Sequence, residues 1–272
     1  MVLGHGNGGI LQKTIKHFDD KDIDFYIHWD KKTKFLPTFE SKQSKIKIVE
    51  RDRVFWGTDS QIRAELNLMK SVQNSDYKYD YIHLISSVDM PLMSKSYFKG
   101  YFKKDVYIGF LKNIDNSTKK RIRYYYPFRN LNIRKRTHFH LYITIFTILN
   151  KMLNINRLKK KENQIERGCN WFSMKASLIP EVVEFEDIDM FMHSYTADEL
   201  FLQSILRRYK PTLNKYFLEN DNAMALRYID WERGKPYLFQ NSDIAELRAI
   251  RNSNYAFARK ISDVEIFDSV WE

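Results

Sequence analysis

Val2-Leu3, then His5-Gly6-Asn7-Gly8-Gly9, then Asp24-Phe25-Tyr26-Ile27-His28-Trp29-Asp30 decide the fold. The first pair reads as the end of a strand and the Gly-rich stretch as its turn. Ile10 to Phe18 follows with apolar residues at helical spacing. The third stretch is a short apolar run closed by a carboxylate. Strand, turn, helix and strand in that order open a nucleotide-binding α/β sheet. Ligands of such sheets bind at the carboxyl ends of the strands, which is where Asp30 falls.

The pattern continues outward from there. Lys45 to Val49 reads as a strand. Val54-Phe55-Trp56-Gly57-Thr58-Asp59-Ser60 precedes a helix from about Ser60 to Val72, with Thr58 or Asp59 as its cap and Ile62, Leu66 and Met69 on one face. Tyr81 to Ser86 is a central strand. It runs into Ser87-Val88-Asp89-Met90-Pro91, where the proline is expected to stop regular structure. Val106 to Leu111 is a further strand. The α/β pattern resumes at Gly168-Cys169-Asn170-Trp171-Phe172-Ser173. A helix is expected from a cap near Thr196 to about Arg208, a late strand over Leu226 to Trp231, and a helix over Asp243 to Arg251.

Residues 117–165 have a different character. Lys119, Lys120, Arg121, Arg123, Arg129, Arg134, Lys135 and Arg136 crowd around Tyr124-Tyr125-Tyr126. The apolar run Phe139 to Leu149 follows, and then Arg157-Leu158-Lys159-Lys160-Lys161. This reads as a partly helical insertion, facing membrane or acceptor, within one domain spanning 1–272. A chain of 272 residues with 43% hydrophobic residues fills one such domain.

The formal net charge of +11 points to anionic partners: nucleotide-sugar phosphates, acidic lipid headgroups or nucleic acid. The single cysteine, Cys169, excludes an internal disulfide and a cysteine-rich metal cluster. No basic and apolar leader opens the sequence, and no apolar run reaches the ~20 residues of a membrane span. The expectation is a cytoplasmic protein, with peripheral attachment to the inner face of the cell membrane as its variant.

For chemistry, Ser87-Val88-Asp89 places one carboxylate at the end of a central strand, whereas oxygen-rich cation sites need more than one such ligand. Asp22-Ile23-Asp24 and Asp187-Ile188-Asp189 read as solvated surface, and His138 and His140 as residues of a membrane or protein surface. No metal and no cofactor are therefore expected. Charge on a departing diphosphate then falls to side chains, and Arg259-Lys260 are the candidates, with Lys235 assisting. Glu199, in Tyr195-Thr196-Ala197-Asp198-Glu199-Leu200-Phe201, is the candidate general base. The bland readings are a solvated cation pair and a pair of first-turn helix acids.

Eight motifs in order resemble the core-2/I-branching β-1,6-N-acetylglucosaminyltransferases and the related peptide O-xylosyltransferases, glycosyltransferase family fourteen. They are Ile27-His28-Trp29-Asp30-Lys31-Lys32, Trp56-Gly57-Thr58-Asp59-Ser60, Glu65-Leu66-Asn67-Leu68-Met69, Ser87-Val88-Asp89-Met90-Pro91, Gly168-Cys169-Asn170-Trp171-Phe172, Thr196-Ala197-Asp198-Glu199, Arg227-Tyr228-Ile229-Asp230-Trp231 and Phe257-Ala258-Arg259-Lys260. They cover nearly all of the chain outside 117–165.

The resemblance implies a GT-A-type α/β fold with a mixed, mostly parallel sheet flanked by helices. It implies inverting, metal-independent transfer from a UDP-sugar, best N-acetylglucosamine, to a glycan hydroxyl. Glu199 would be the base, and Arg259 and Lys260, with Lys235, would hold the diphosphate. Leu3, Asp30, Val54, Phe55 and Trp56 would lie on the uridine side, and Asp89, Asn170 and Trp171 near the donor sugar. The resemblance carries over no acceptor residues; Arg123, Tyr124 and Trp231 are the acceptor candidates of this sequence. Thr58 stands where the family has a second Gly, and Ala197 where Pro is frequent. The expected role is in bacterial surface polysaccharide or glycoconjugate synthesis, on a glycan or a lipid-linked glycan, with an acidic membrane surface as a further partner. A transferase using UDP-xylose, UDP-glucose or UDP-galactose, or a metal-dependent one, is the nearest alternative. A non-enzymatic membrane- or nucleic-acid-binding protein is the competing class; its support is the Arg/Tyr stretch 119–136, but no recognised nucleic-acid motif accompanies it.

Overall fold

The computed structural model describes residues 1–127, 129–131, 139–212 and 220–272. Strands β1 (Val2–Gly4), β2 (Phe25–Trp29), β3 (Ile46–Ile48) and β4 (Tyr81–Ser86) are parallel and lie in the order β3-β2-β1-β4. A two-residue strand, β5 (Met90–Pro91), belongs to a smaller second sheet. The large sheet is completed by β6 (Val106–Ile108) and β7 (Phe172–Lys175), with β7 antiparallel to both β4 and β6. The sheet is thus mixed and mostly parallel, as the motif order implies. Strand β2 is buried along its whole length because both of its faces are covered.

Alternation along the strands sends Val2, Phe25, Ile27 and Ile85 to one face and Met1, Tyr26, Ile82 and Leu84 to the other. Helix α1 (Gly9–His17) covers the first face with Leu11 and Ile15. Helix α2 (Ser60–Gln73) covers the second with Ile62, Leu66 and Met69. Asp59 stands at the cap position of α2 but does not cap it; its carboxylate turns away to Arg129 Nε and the backbone N–H of His193, each at 3.0 Å. Gly4 is required where it sits, because a Cβ there would lie 2.1 Å from the buried Trp29 ring.

Helix α3 (Lys95–Tyr101) follows β5. Within 117–165 the chain forms α4 (Asn116–Arg123) and α5 (Phe139–Met152), so the insertion is partly helical. Arg134, Lys135, Arg136 and His138 lie outside the described residues.

Beyond β7 come α6 (Ile179–Val183), α7 (Phe201–Ile205) and α8 (Asp221–Met224). The long helix expected from Thr196 to Arg208 is broken. Thr196 has φ 46° and no capping bond, Ala197–Glu199 is a 3-10 turn, and only five residues of α7 are α-helical. Nothing in the residue pattern announces a left-handed threonine.

The second sheet joins β5, β8 (Arg227–Ile229) and β9 (Phe257–Arg259) in the order β5-β9-β8. Pro91 does not stop the structure; it sits on an edge strand, where its missing N–H is tolerated. β8 is shorter than expected because the Asp230 carboxylate accepts the N–H groups of Glu232 and Arg233, both at 2.8 Å, and turns the chain. Between β8 and β9 lies α9 (Ile244–Ala249), and α10 (Val264–Trp271) follows β9, with Ile266, Phe267 and Val270 packed against Ile10 of α1.

Arg227 ties the two sheets. It is 1% exposed, and its guanidinium donates to the carbonyls of Leu84 (3.1 Å), Phe172 (2.7 Å) and Ala225 (2.7 Å). Burial pushes its pKa down to about 10, so it stays charged at neutral pH.

Candidate active site

The carboxyl ends of β1, β2 and β4 form one edge, and the loops beyond them are stapled together. Arg51 donates to the carbonyls of Trp29 (2.9 Å), Asp30 (3.1 Å) and Thr33 (2.7 Å). His28, 1% exposed, accepts the Asp52 N–H at 3.0 Å through Nε2, and burial pushes its pKa down. These bonds fix the loop carrying Val54 and Phe55 beside Asp30. Asp30 Oδ1 accepts the N–H groups of Lys32 (2.9 Å) and Val54 (3.2 Å), while Lys32 Nζ lies 3.3 Å from Oδ2 and over the Phe55 ring. Trp56 is 48% exposed beside them, and the Leu3 carbonyl accepts the Ser87 N–H. The five residues assigned to the uridine side therefore gather at this edge.

Cations approach the same edge from β9. Arg259 donates to Asp89 Oδ1 at 2.7 Å and to Ser86 Oγ, and lies 4.0 Å from the Trp171 ring centroid. Asp89 is buried and also takes the Ser86 N–H at 2.7 Å. Its two oxygens are thus held by a guanidinium, a hydroxyl and an amide. The imidazole of His5, in the turn after β1, has its pKa lowered by desolvation first and then by Lys260 and Arg259. Ser87, next to the Ser86 that Arg259 reaches, donates from Oγ to the His5 carbonyl at 2.9 Å, which sets Arg259 near the mouth of β1. The loop bearing Lys235 runs alongside: Lys260 N–H donates to Tyr237 O at 3.3 Å, and Phe239 N–H to Lys260 O at 2.8 Å. Lys235 itself is exposed.

Glu199 sits on the 3-10 turn before α7. Its Oε2 accepts Arg121 Nη1 (3.0 Å), Arg167 Nε (3.1 Å) and Arg167 Nη2 (2.9 Å). These contacts all fall on one of the two carboxylate oxygens. The Glu199 carbonyl accepts the Gly168 N–H at 3.0 Å, and three residues on lies Trp171, against Arg259. The same turn is joined to the uridine side, where Thr196 N–H donates to Gly57 O at 2.8 Å and Thr58 forms a bridge with Tyr195. Gly57 has φ 74°, which favours glycine there. The Glu199 turn, the strand carrying Arg259 and the edge carrying Asp30 are therefore parts of one connected frame.

A family model described as core-2/I-branching enzyme matches residues 1–251 of this chain. The chain belongs to the core-2/I-branching family. It is accordingly a glycosyltransferase, and the α/β sheet fits a GT-A-like fold. No curated protein matches it.

Two residues of this core-2/I-branching site escape a sequence reading. Arg121 was one of a crowd of cations and Arg167 stood before the Gly168 motif; they reach Glu199 across 78 and 32 positions. The only available signal was an arginine flanking a glycine-asparagine motif, too weak to assign a partner. Behind Glu199 lie two further acids. Asp198 has its pKa pushed up to about 7 by burial and then by the Glu199 carboxylate. Glu65, from α2, is raised well above the carboxylate range by burial and then by Asp198.

The acceptor candidates are dispersed. Arg123 is held by Glu162 at 2.8 Å, Tyr124 is buried under α5, and Trp231 is 55% exposed after β8. Asn170 is half-buried between Cys169 and Trp171. The two Asp-x-Asp triplets are engaged by cations or hydroxyls: Asp22 by Lys99, Asp24 by Tyr79 and Asp187 by Lys161. Among the described residues no group of three or more His, Cys, Asp or Glu is placed to hold a metal ion.

Proposed function

We propose that the chain transfers a sugar, best N-acetylglucosamine, from a UDP-sugar to a glycan hydroxyl with inversion and without a metal. The observation that carries this reading is the one-sided anchoring of Glu199: Arg121 and Arg167 fix Oε2, and Oε1 stays open to a hydroxyl proton. A sugar hydroxyl is a weak nucleophile, and a positioned carboxylate that takes its proton contributes about 10²–10⁴-fold.

The donor would lie across the strand ends, its uracil by Asp30 and Val54 and its diphosphate on Arg259, Lys260 and Lys235. The acceptor hydroxyl then attacks the anomeric carbon from the face opposite the departing diphosphate, passing its proton to Glu199 Oε1. The C–O bond to UDP breaks as the new glycosidic bond forms, and the configuration inverts. Positive charge for the leaving group comes from permanent cations fixed before the reaction. Metal independence is supported by Asp89, whose oxygens are already held by Arg259 and Ser86. The acceptor is a glycan or lipid-linked glycan of bacterial surface polysaccharide or glycoconjugate synthesis, with Arg123, Tyr124 and Trp231 its assigned contacts.

The test is a hydrolysis and transfer panel over UDP-N-acetylglucosamine, UDP-xylose, UDP-glucose and UDP-galactose, with the anomeric configuration of the product read by NMR. UDP release with an inverted product supports the reading. A retained configuration, or no turnover of any UDP-sugar, overturns it.

A further inference from the structure

Helix α5 is mostly apolar, with His140, Thr144 and Lys151 its exposed polar residues. It is pinned to the protein by one face: Phe139, Ile143 and Phe146 pack on the Tyr124–Tyr126 cluster with Tyr195. Asn150, 3% exposed, locks it further by exchanging hydrogen bonds with Tyr125, at 2.8 Å from its N–H and 2.9 Å to its carbonyl. The opposite face carries Leu141, Ile145, Ile148 and Met152, spaced i, i+4, i+7 and i+11, exposed by 57%, 43%, 52% and 77%. Leu149 and Leu153 widen this stripe. A surface helix ordinarily turns polar residues outward, and a contiguous exposed apolar face marks an interaction surface.

Charge identifies what covers it. Lys151 in the last turn of α5, and Lys159 and Lys160 in the loop that follows, are exposed. Glu162 is the one acid in residues 117–165, and it is occupied by Arg123. An apolar ridge bordered by unopposed cations complements an anionic lipid surface, where side chains enter the acyl boundary and lysines meet headgroups. The helix has 14 residues, about 21 Å, against a hydrocarbon core of ~30 Å, and no described helix is long and apolar enough to cross a membrane. It therefore lies in the plane of the surface.

We propose that α5 docks this protein on an anionic bilayer through Leu141, Ile145, Ile148 and Met152. The inference does not rest on glycosyl transfer, and its test needs no sugar substrate. The full chain is floated with vesicles of phosphatidylcholine alone and of phosphatidylcholine with 30% phosphatidylglycerol, at low salt and at 0.5 M salt. Binding at least tenfold stronger to the anionic vesicles at low salt, and weakened by salt, is expected. Ile145→Glu/Ile148→Glu, which replaces exposed groups and should leave the unfolding temperature unchanged, is expected to abolish it. Lys159→Glu/Lys160→Glu should reduce it several-fold without touching the helix. Absence of binding at low salt, or binding indifferent to Ile145→Glu/Ile148→Glu, overturns the proposal. So does a dimer in sedimentation that this double variant dissolves, because the face would then be covered by a second copy.

Discussion

Replacing Glu199 by Gln removes a proton acceptor while keeping size, shape and an oxygen that Arg121 and Arg167 can still bind. If Oε1 takes the acceptor proton, kcat should fall by 10²–10⁴, about 2.7–5.5 kcal/mol on the barrier. Stability should hardly move. The side chains of Arg121, Arg167 and Glu199 are 19%, 31% and 35% exposed, so solvent screens their pairing. Such partly exposed pairs contribute about 1 kcal/mol or less, or roughly 2–4 °C in a chain of this size. Nucleotide binding should also persist, because Asp30, Arg259 and Lys260 are untouched. The assay couples UDP release to product formation, with UDP affinity measured by calorimetry on the same samples. A variant that keeps more than a tenth of wild-type turnover would refute the base assignment. Equal losses of UDP affinity and turnover would refute it too, because Glu199 would then act through binding. Arg167→Met, which removes two of the contacts that aim the carboxylate, should cost roughly tenfold in kcat with KM for the donor preserved.

Lys260→Gln should raise the His5 pKa by removing a neighbouring cation, and saturating UDP should raise it further; imidazole shifts in an NMR titration read this, and an unmoved His5 would separate Lys260 from the diphosphate site. Asp198, at about 7 when folded against an ordinary 3.8, holds its proton in the native state, so its contribution is most favourable at low pH and is lost as pH rises from 4 to 7. Asp198→Asn should therefore gain on the wild type over that window, by up to about 4 kcal/mol, and level off above pH 7; a difference that stays flat with pH in thermal unfolding would sink the assignment. Arg227→Leu removes a charge whose carbonyl partners stay buried and should cost roughly 3–5 kcal/mol in denaturant unfolding, whereas a loss under 1 kcal/mol would show that the two sheets hold together without it. Transfer activity should survive EDTA; loss of activity restored by Mn²⁺ would overturn metal independence.

The fold was legible where burial on both faces wrote itself as apolar runs ending in carboxylates, as at Phe25–Trp29 and Tyr81–Ser86. One strand was illegible: Phe257–Arg259 shows no apolar run or period of its own, and it registers only through its partners β5 and β8. The candidate site was half visible. Asp30, Asp89 and Glu199 stand at punctuated positions, the ends of strands and a turn, where a carboxylate is conspicuous. Arg121 and Arg167 do not, because a cation's partner is set by tertiary folding. Thr196 shows the same limit, since its left-handed backbone is imposed by the Gly57 and Thr58 contacts and has no local signature.

The guanidinium that bridges the two sheets arrives late in synthesis. A nascent chain that has not yet reached residue 227 has nothing to offer the waiting carbonyls of Leu84 and Phe172, and β9 is still further off. The ribosome must therefore deliver most of the polypeptide before the edge at the ends of β1 and β4 can consolidate. Nonsense mutations anywhere upstream of 227 should yield proteolysis-prone fragments instead of weakened enzymes.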